Sequence, residues 1–210
     1  MLPKAALAAI ALLVVPLTAY ADGGATTRGK GPCVGCLSSL PAGTEPRPLL
    51  VLLHGDGETA AGMLDAWGPA AAARGIVVFA PTCPPSEGCT SQSWWKWNGE
   101  PSWLLRQIDA LAETRAIDPA RMWIAGWSGG GTYIGWNTQE LERTFAALVI
   151  HGGGVQPRRS ACSDPKAAIY FLGGDQNPLH SLTEPLHDYY VRCRHDDMTW
   201  TVLKGVDHEG

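Results

Sequence analysis

The sequence predicts an α/β fold, a mostly parallel sheet of about six strands with helices on both faces. Two observations carry this. Short, wholly apolar runs recur along the chain, such as residues 49–53 (LLVLL) and 76–80 (IVVFA), and strands without polar alternation are buried on both faces. Longer stretches with helical spacing separate them, so strand and helix alternate. With 210 residues, 45% of them hydrophobic and 17% charged, the chain suits one globular domain with a sizeable core.

The first 21 residues stand apart from that domain. Lys4 precedes an apolar run over residues 5–15, Pro16 breaks it, and Ala19-Tyr20-Ala21 forms a small-x-small cleavage site. This is the pattern of a secretory signal peptide cut after Ala21, which predicts a secreted or periplasmic protein. The run is too short to span a bilayer, so no integral membrane anchor is expected. Removing Lys4 leaves 16 − 1 = 15 basic residues against 20 acidic ones, a net charge of −5. A weakly acidic surface argues against nucleic acid and anionic membranes as partners.

Residues 22–48 are rich in Gly, Pro, Thr and Ser and are expected to form an irregular lead-in. All six cysteines, Cys33, Cys36, Cys83, Cys89, Cys162 and Cys193, follow the cleavage site. An even number in an exported chain points to disulfides, with 15 possible pairings. Cys83 and Cys89 bracket a short Pro/Gly-rich loop and are the easiest pair to close. Cys33 and Cys36 have the spacing of a redox or zinc pair. No strand precedes them and no matching pair follows, so a structural bridge is the favoured reading.

From residue 49 the elements follow in order. The 49–53 strand leads directly into His54-Gly55-Asp56-Gly57. Residues 60–74 are helix-forming, with a kink or break expected at Gly68-Pro69 and an end at Gly75. The 76–80 strand opens a loop over 81–99 that carries Trp94, Trp95 and Trp97. A helix over 102–115 and a turn at Asp118-Pro119 lead to a strand over 122–125. Further strands are expected at 145–150, 167–172 and 199–203, with a helix at 183–192. In such sheets ligands bind beyond the carboxyl ends of the strands. Ser128, Asp175, His208 and the 54–57 loop all follow strand ends, so they fall on one edge.

Gly126-Trp127-Ser128-Gly129-Gly130 matches G-x-S-x-G. Here a serine sits on a sharp strand-to-helix turn, and the flanking glycines let strand and helix approach closely. The Gly129 N–H then lies at a helix N-terminus, where a developing oxyanion is stabilised. A serine needs a base, and His208 in the loop after the last strand is the candidate. A histidine base needs an orienting partner, and Asp175 directly follows a strand between serine and histidine.

The elbow and the order Ser128, Asp175, His208 resemble the α/β-hydrolase superfamily over residues 48–210. Within it the chain is similar to small secreted esterases related to polyhydroxybutyrate depolymerases and feruloyl esterases. The resemblance implies that residues 49–210 form a catalytic domain cleaving carboxylic esters, small or polymeric, through an acyl-enzyme on Ser128. It calls for no cofactor and no metal. It implies an oxyanion hole from the backbone N–H groups of Asp56 and Gly129, with His54 supporting the loop. His151-Gly152-Gly153-Gly154 spells a lipase oxyanion motif, but its position after the nucleophile makes it a Gly-rich turn under the site.

Asp164, Asp196, Asp197 and Asp207 are read as loop or surface charges. His180, His187 and His195 are read as solvated. Trp94, Trp95, Trp97 and Trp127 are candidate aromatic walls for an acyl or aryl group, with core packing as the alternative. Residues 151–166 leave little room for a lid domain, so an open site is expected. Two residues follow His208, where the family usually has a closing helix, so that helix is expected to be missing. A peptidase of the same fold and a catalytically weak hydrolase-fold binding protein are the competing readings.

Overall fold

The computed structural model describes residues 26–97 and 99–209. The signal-peptide assignment therefore lies outside the described residues. Eight strands form one sheet in the order β1-β2-β4-β3-β5-β6-β7-β8. The six predicted strands are β3 (Arg47–Leu53), β4 (Val77–Ala80), β5 (Ile117–Trp127), β6 (Ala147–His151), β7 (Ala168–Gly174) and β8 (Met198–Leu203). They pair in parallel throughout.

The lead-in departs from expectation. It contributes β1 (Thr26–Lys30) and β2 (Leu37–Pro41), an antiparallel hairpin that pairs with β4 through Leu37 to Ser39. The free backbone edge of β4 supplies the hydrogen bonds, so strand forms where local composition favours a loop. β5 also begins earlier than expected. Arg47 pairs with Ile117 and Leu49 with Met122, so Asp118 and Pro119 sit in a bulge rather than in a turn outside the strand.

Helices cover both faces. α1 (Ala60–Ala72) is capped by Thr59, whose hydroxyl accepts the Gly62 N–H at 3.1 Å. It continues through Pro69 without ending. Its Ala60, Met63, Leu64, Trp67 and Ala71 pack on one face of the sheet, against Leu50, Leu52, Val78 and Trp123. The opposite face buries Leu49, Val51, Leu53, Phe79, Ile124 and Leu148 under α2 (Ser102–Ala112), α3 (Gly129–Trp136) and α5 (His180–Arg192). A short α4 (Thr138–Leu141) follows α3. Alternate residues of β3 thus enter opposite cores, as the period of two in a strand requires.

All six cysteines are paired: Cys33–Cys36, Cys83–Cys89 and Cys162–Cys193. Among the described residues no helix is long and apolar enough to cross a membrane. Residues 152–167 contain neither helix nor strand, so no lid domain rises between β6 and β7.

Candidate active site

Ser128 stands between β5 and α3 with φ 51° and ψ −110°, a positive φ that side chains rarely adopt. The flanking glycines permit this. A Cβ on Gly126 would lie 2.4 Å from the Gly130 carbonyl carbon, and one on Gly130 would lie 2.5 Å from Leu53 O. The strain is held by hydrogen bonds on both sides of the serine. Its N–H donates to His151 O at 2.8 Å, and its carbonyl accepts the Thr132 N–H at 3.0 Å. The turn thereby fixes the hydroxyl at the carboxyl edge of the sheet.

His208 reaches this hydroxyl from the loop after β8: its Nε2 is 2.9 Å from Ser128 Oγ. Its other ring nitrogen, Nδ1, is 3.1 Å from Asn177 Oδ1. This corrects the expectation for Asp175. The Asp175 carboxylate is exposed and accepts the Gly205 N–H at 2.7 Å. Backbone bonds from Asp175 N–H to Leu203 O and from Gln176 N–H to Val206 O draw the two loops together. The turn after β7 therefore aims Asp175 at the backbone of the histidine loop, while Asn177, two residues on and buried, faces the ring. The sequence reading missed Asn177. Its only local signal is an Asn-Pro step, which favours a side chain bonded to its own backbone.

The 54–57 loop lies beside the elbow. The Asp56 backbone nitrogen is 3.5 Å from the point where a Cβ on Gly129 would stand, and its Oδ1 is 2.3 Å from that point. The two expected oxyanion donors are thus on neighbouring residues, with the exposed Asp56 carboxylate beside Gly129. His54 is buried, its Nδ1 is 2.8 Å from Gly55 O, and its Nε2 accepts the Cys83 N–H at 3.4 Å. It ties this loop to the Cys83–Cys89 loop, and burial lowers its pKa.

His151 to Gly154 form a turn beneath the nucleophile. A Cβ on Gly153 would lie 2.2 Å from Ser128 O. Gly152 O accepts from Asn177 Nδ2 at 2.9 Å, and Gly153 O from Thr183 Oγ1 at 2.8 Å. Burial, followed by the charge of nearby His208, lowers the His151 pKa to about 4. His195, read as solvated, is instead buried beside Glu142, whose carboxylate accepts from its Nε2. The described residues contain no cluster of His, Cys, Asp or Glu able to hold a metal ion.

The tryptophans divide. Trp94 and Trp97 are 0% and 4% exposed and pack with Trp103 and Tyr133 in the core, the packing alternative to a substrate wall. Trp95 is half-buried against Trp136. Trp127 borders the site, its ring stacked on that of His208.

The same architecture recurs in solved proteins. Esterase PE8 superposes with a TM-score of 0.66 at 18% identity, covering 85% of this chain and 90% of its own. An S-formylglutathione hydrolase from Staphylococcus aureus gives 0.65 at 16%, with 88% of each chain covered. The fold is that of the α/β-hydrolases. The feruloyl esterase module from Clostridium thermocellum shares this α/β-hydrolase frame at a TM-score of 0.61 and 12% identity, covering 90% of this chain and 84% of that one. The sequence profile of the prolyl oligopeptidase family matches residues 100–179. A search of curated protein sequences returns no match to the chain.

Proposed function

We propose that this chain is an exported serine hydrolase of carboxylic esters. The observation that carries the reading is the 2.9 Å approach of His208 Nε2 to Ser128 Oγ on a strained elbow. Ser128 Oγ attacks the ester carbonyl as its proton passes to His208 Nε2. The backbone N–H groups of Gly129 and Asp56 receive the oxyanion. Collapse expels the alcohol, which takes the proton from Nε2, and water then hydrolyses the acyl-enzyme by the same steps in reverse.

Export is supported by three disulfides, which persist in oxidising compartments. The lack of an element over the 152–167 segment favours small or medium esters entering an open site. Short-chain and aryl esters should be cut without a rate jump at the substrate's solubility limit. A peptidase reading is kept by the match of residues 100–179 to the prolyl oligopeptidase profile.

The test is a panel of aryl and alkyl esters beside proline-containing peptides, assayed with the mature protein and with Ser128→Ala. Ester turnover and fluorophosphonate labelling, both lost in Ser128→Ala, support the proposal. Turnover of peptides alone favours the peptidase, and retained labelling in the variant would exclude Ser128 as the nucleophile.

A further inference from the structure

We infer that Asn177 is the residue that positions His208, in a site built for an amide rather than a carboxylate. The inference rests on reading Ser128 and His208 as nucleophile and base. Its evidence lies in the partners of the Asn177 side chain. Nδ2 donates to Gly152 O at 2.9 Å. Oδ1 accepts the Leu179 N–H at 2.9 Å and lies 3.1 Å from His208 Nδ1.

These partners are asymmetric. One terminal atom must donate and the other must accept, which an amide does and an ionised carboxylate does not. A carboxylate would set an oxygen against the Gly152 carbonyl with no proton between them. A flipped amide would oppose two carbonyl oxygens at Gly152 and two donors at Leu179. The buried side chain therefore has one orientation, with oxygen toward the histidine.

That orientation determines where the histidine proton sits. Facing a pure acceptor, His208 carries its proton on Nδ1 and leaves Nε2 free to accept from the Ser128 hydroxyl. A freely rotating amide in this position would favour the wrong tautomer; the bonds to Gly152 and Leu179 prevent that. During acylation the serine proton moves to Nε2 while the Nδ1–H stays shared with Asn177 Oδ1. Asp175 and Asn177 thus divide the work: Asp175 holds the loop through Gly205 N–H, and Asn177 holds the ring.

The experiment combines ¹⁵N NMR of the imidazole with aryl-ester kinetics, the His208 signals being identified by their loss in His208→Gln. Wild type and Asp175→Asn should show neutral His208 protonated on Nδ1, and Asp175→Asn should keep kcat within about threefold, since its amide oxygen still accepts from Gly205. Asn177→Ala should lose this tautomer and about 10²–10⁴ in kcat. Asn177→Asp keeps an acceptor toward Nδ1 but sets an oxygen against Gly152 O, so it should recover only part of that loss, and turnover equal to or above wild type would overturn the preference for an amide. A wild-type proton on Nε2, or a large loss in Asp175→Asn with a mild one in Asn177→Ala, would overturn the inference. The spectra need no substrate, so a wild-type proton on Nε2, or an Nδ1 proton that Asn177→Ala leaves in place, overturns the inference even if no ester is hydrolysed.

Discussion

The Trp127 and His208 rings lie face to face, with centroids 5.3 Å apart and planes inclined by 23°. The same indole also packs on Gly55, where an added Cβ would come within 2.3 Å of the ring. The tryptophan of the elbow is therefore a spacer between the 54–57 loop and the histidine. The negative face of an indole also favours a cation above it, as the imidazole would become in the proposed mechanism.

Removing that spacer should loosen the base. Stacked rings contribute about 0.5–1.5 kcal/mol, so Trp127→Ala should lower kcat for small esters about two- to tenfold by that effect alone. Ester kinetics on the purified variant check this. A raised KM with unchanged kcat would assign the indole to substrate binding instead.

Asp56 sets a carboxylate beside Gly129, where an added Cβ would lie 2.3 Å from Oδ1, close to the place the proposed mechanism gives the oxyanion. Like charges oppose each other across this short gap, in a partly solvated setting. Asp56→Asn keeps the backbone N–H and removes the charge. Its kcat for neutral esters should rise by about two- to tenfold, with a smaller gain at high salt. A fall in kcat would show that the carboxylate helps to hold the loop.

His151 links the turn beneath the nucleophile to acid stability. Its folded pKa is held down to about 4, while an unfolded histidine titrates near 6.5. Between these values the unfolded chain binds a proton that the folded chain refuses. The contribution is complete above about pH 6.5 and is lost as pH falls toward 4. Thermal melts from pH 7.5 to 4.5 should show a falling Tm, less steep in His151→Gln. His54 adds in the same direction, also through burial. Equal slopes for wild type and variant would contradict the assignment to His151.

Trp94 belongs to the core, so its loss should register in stability before activity. Trp94→Ala should destabilise the fold by about 3–5 kcal/mol, whereas Trp95→Ala, half-buried at the surface, should cost far less. Denaturant unfolding of the two variants tests the ranking. An unchanged midpoint for Trp94→Ala with a raised KM would return Trp94 to the substrate.

The parallel strands were legible because LLVLL and IVVFA are apolar at every position, which only a doubly covered strand requires. Ser128 and His208 were legible because an elbow and strand-end loops have sequence signatures. The β1–β2 hairpin was not, since Ser38 and Ser39 are paired by the backbone edge of β4 rather than by their own propensity. Asp175 and Asn177 both follow β7, and what separates them is the path of three residues and the carbonyl of Gly152. Trp94 and Trp97 follow a strand end like any site residue. Their burial depends on Tyr133, from a different element.

The Cys162–Cys193 bridge joins the segment after β6 to the end of α5, 31 positions later in the chain. That helix starts three residues beyond Asn177, and its Thr183 holds the Gly153 carbonyl. Sulfur chemistry remote from the nucleophile is therefore wired to the two segments that support it. A chain newly made among reducing thiols lacks this tie and should be latent. Under the proposed export, oxidation would then act as a maturation checkpoint, confining full hydrolytic strength to an oxidising compartment.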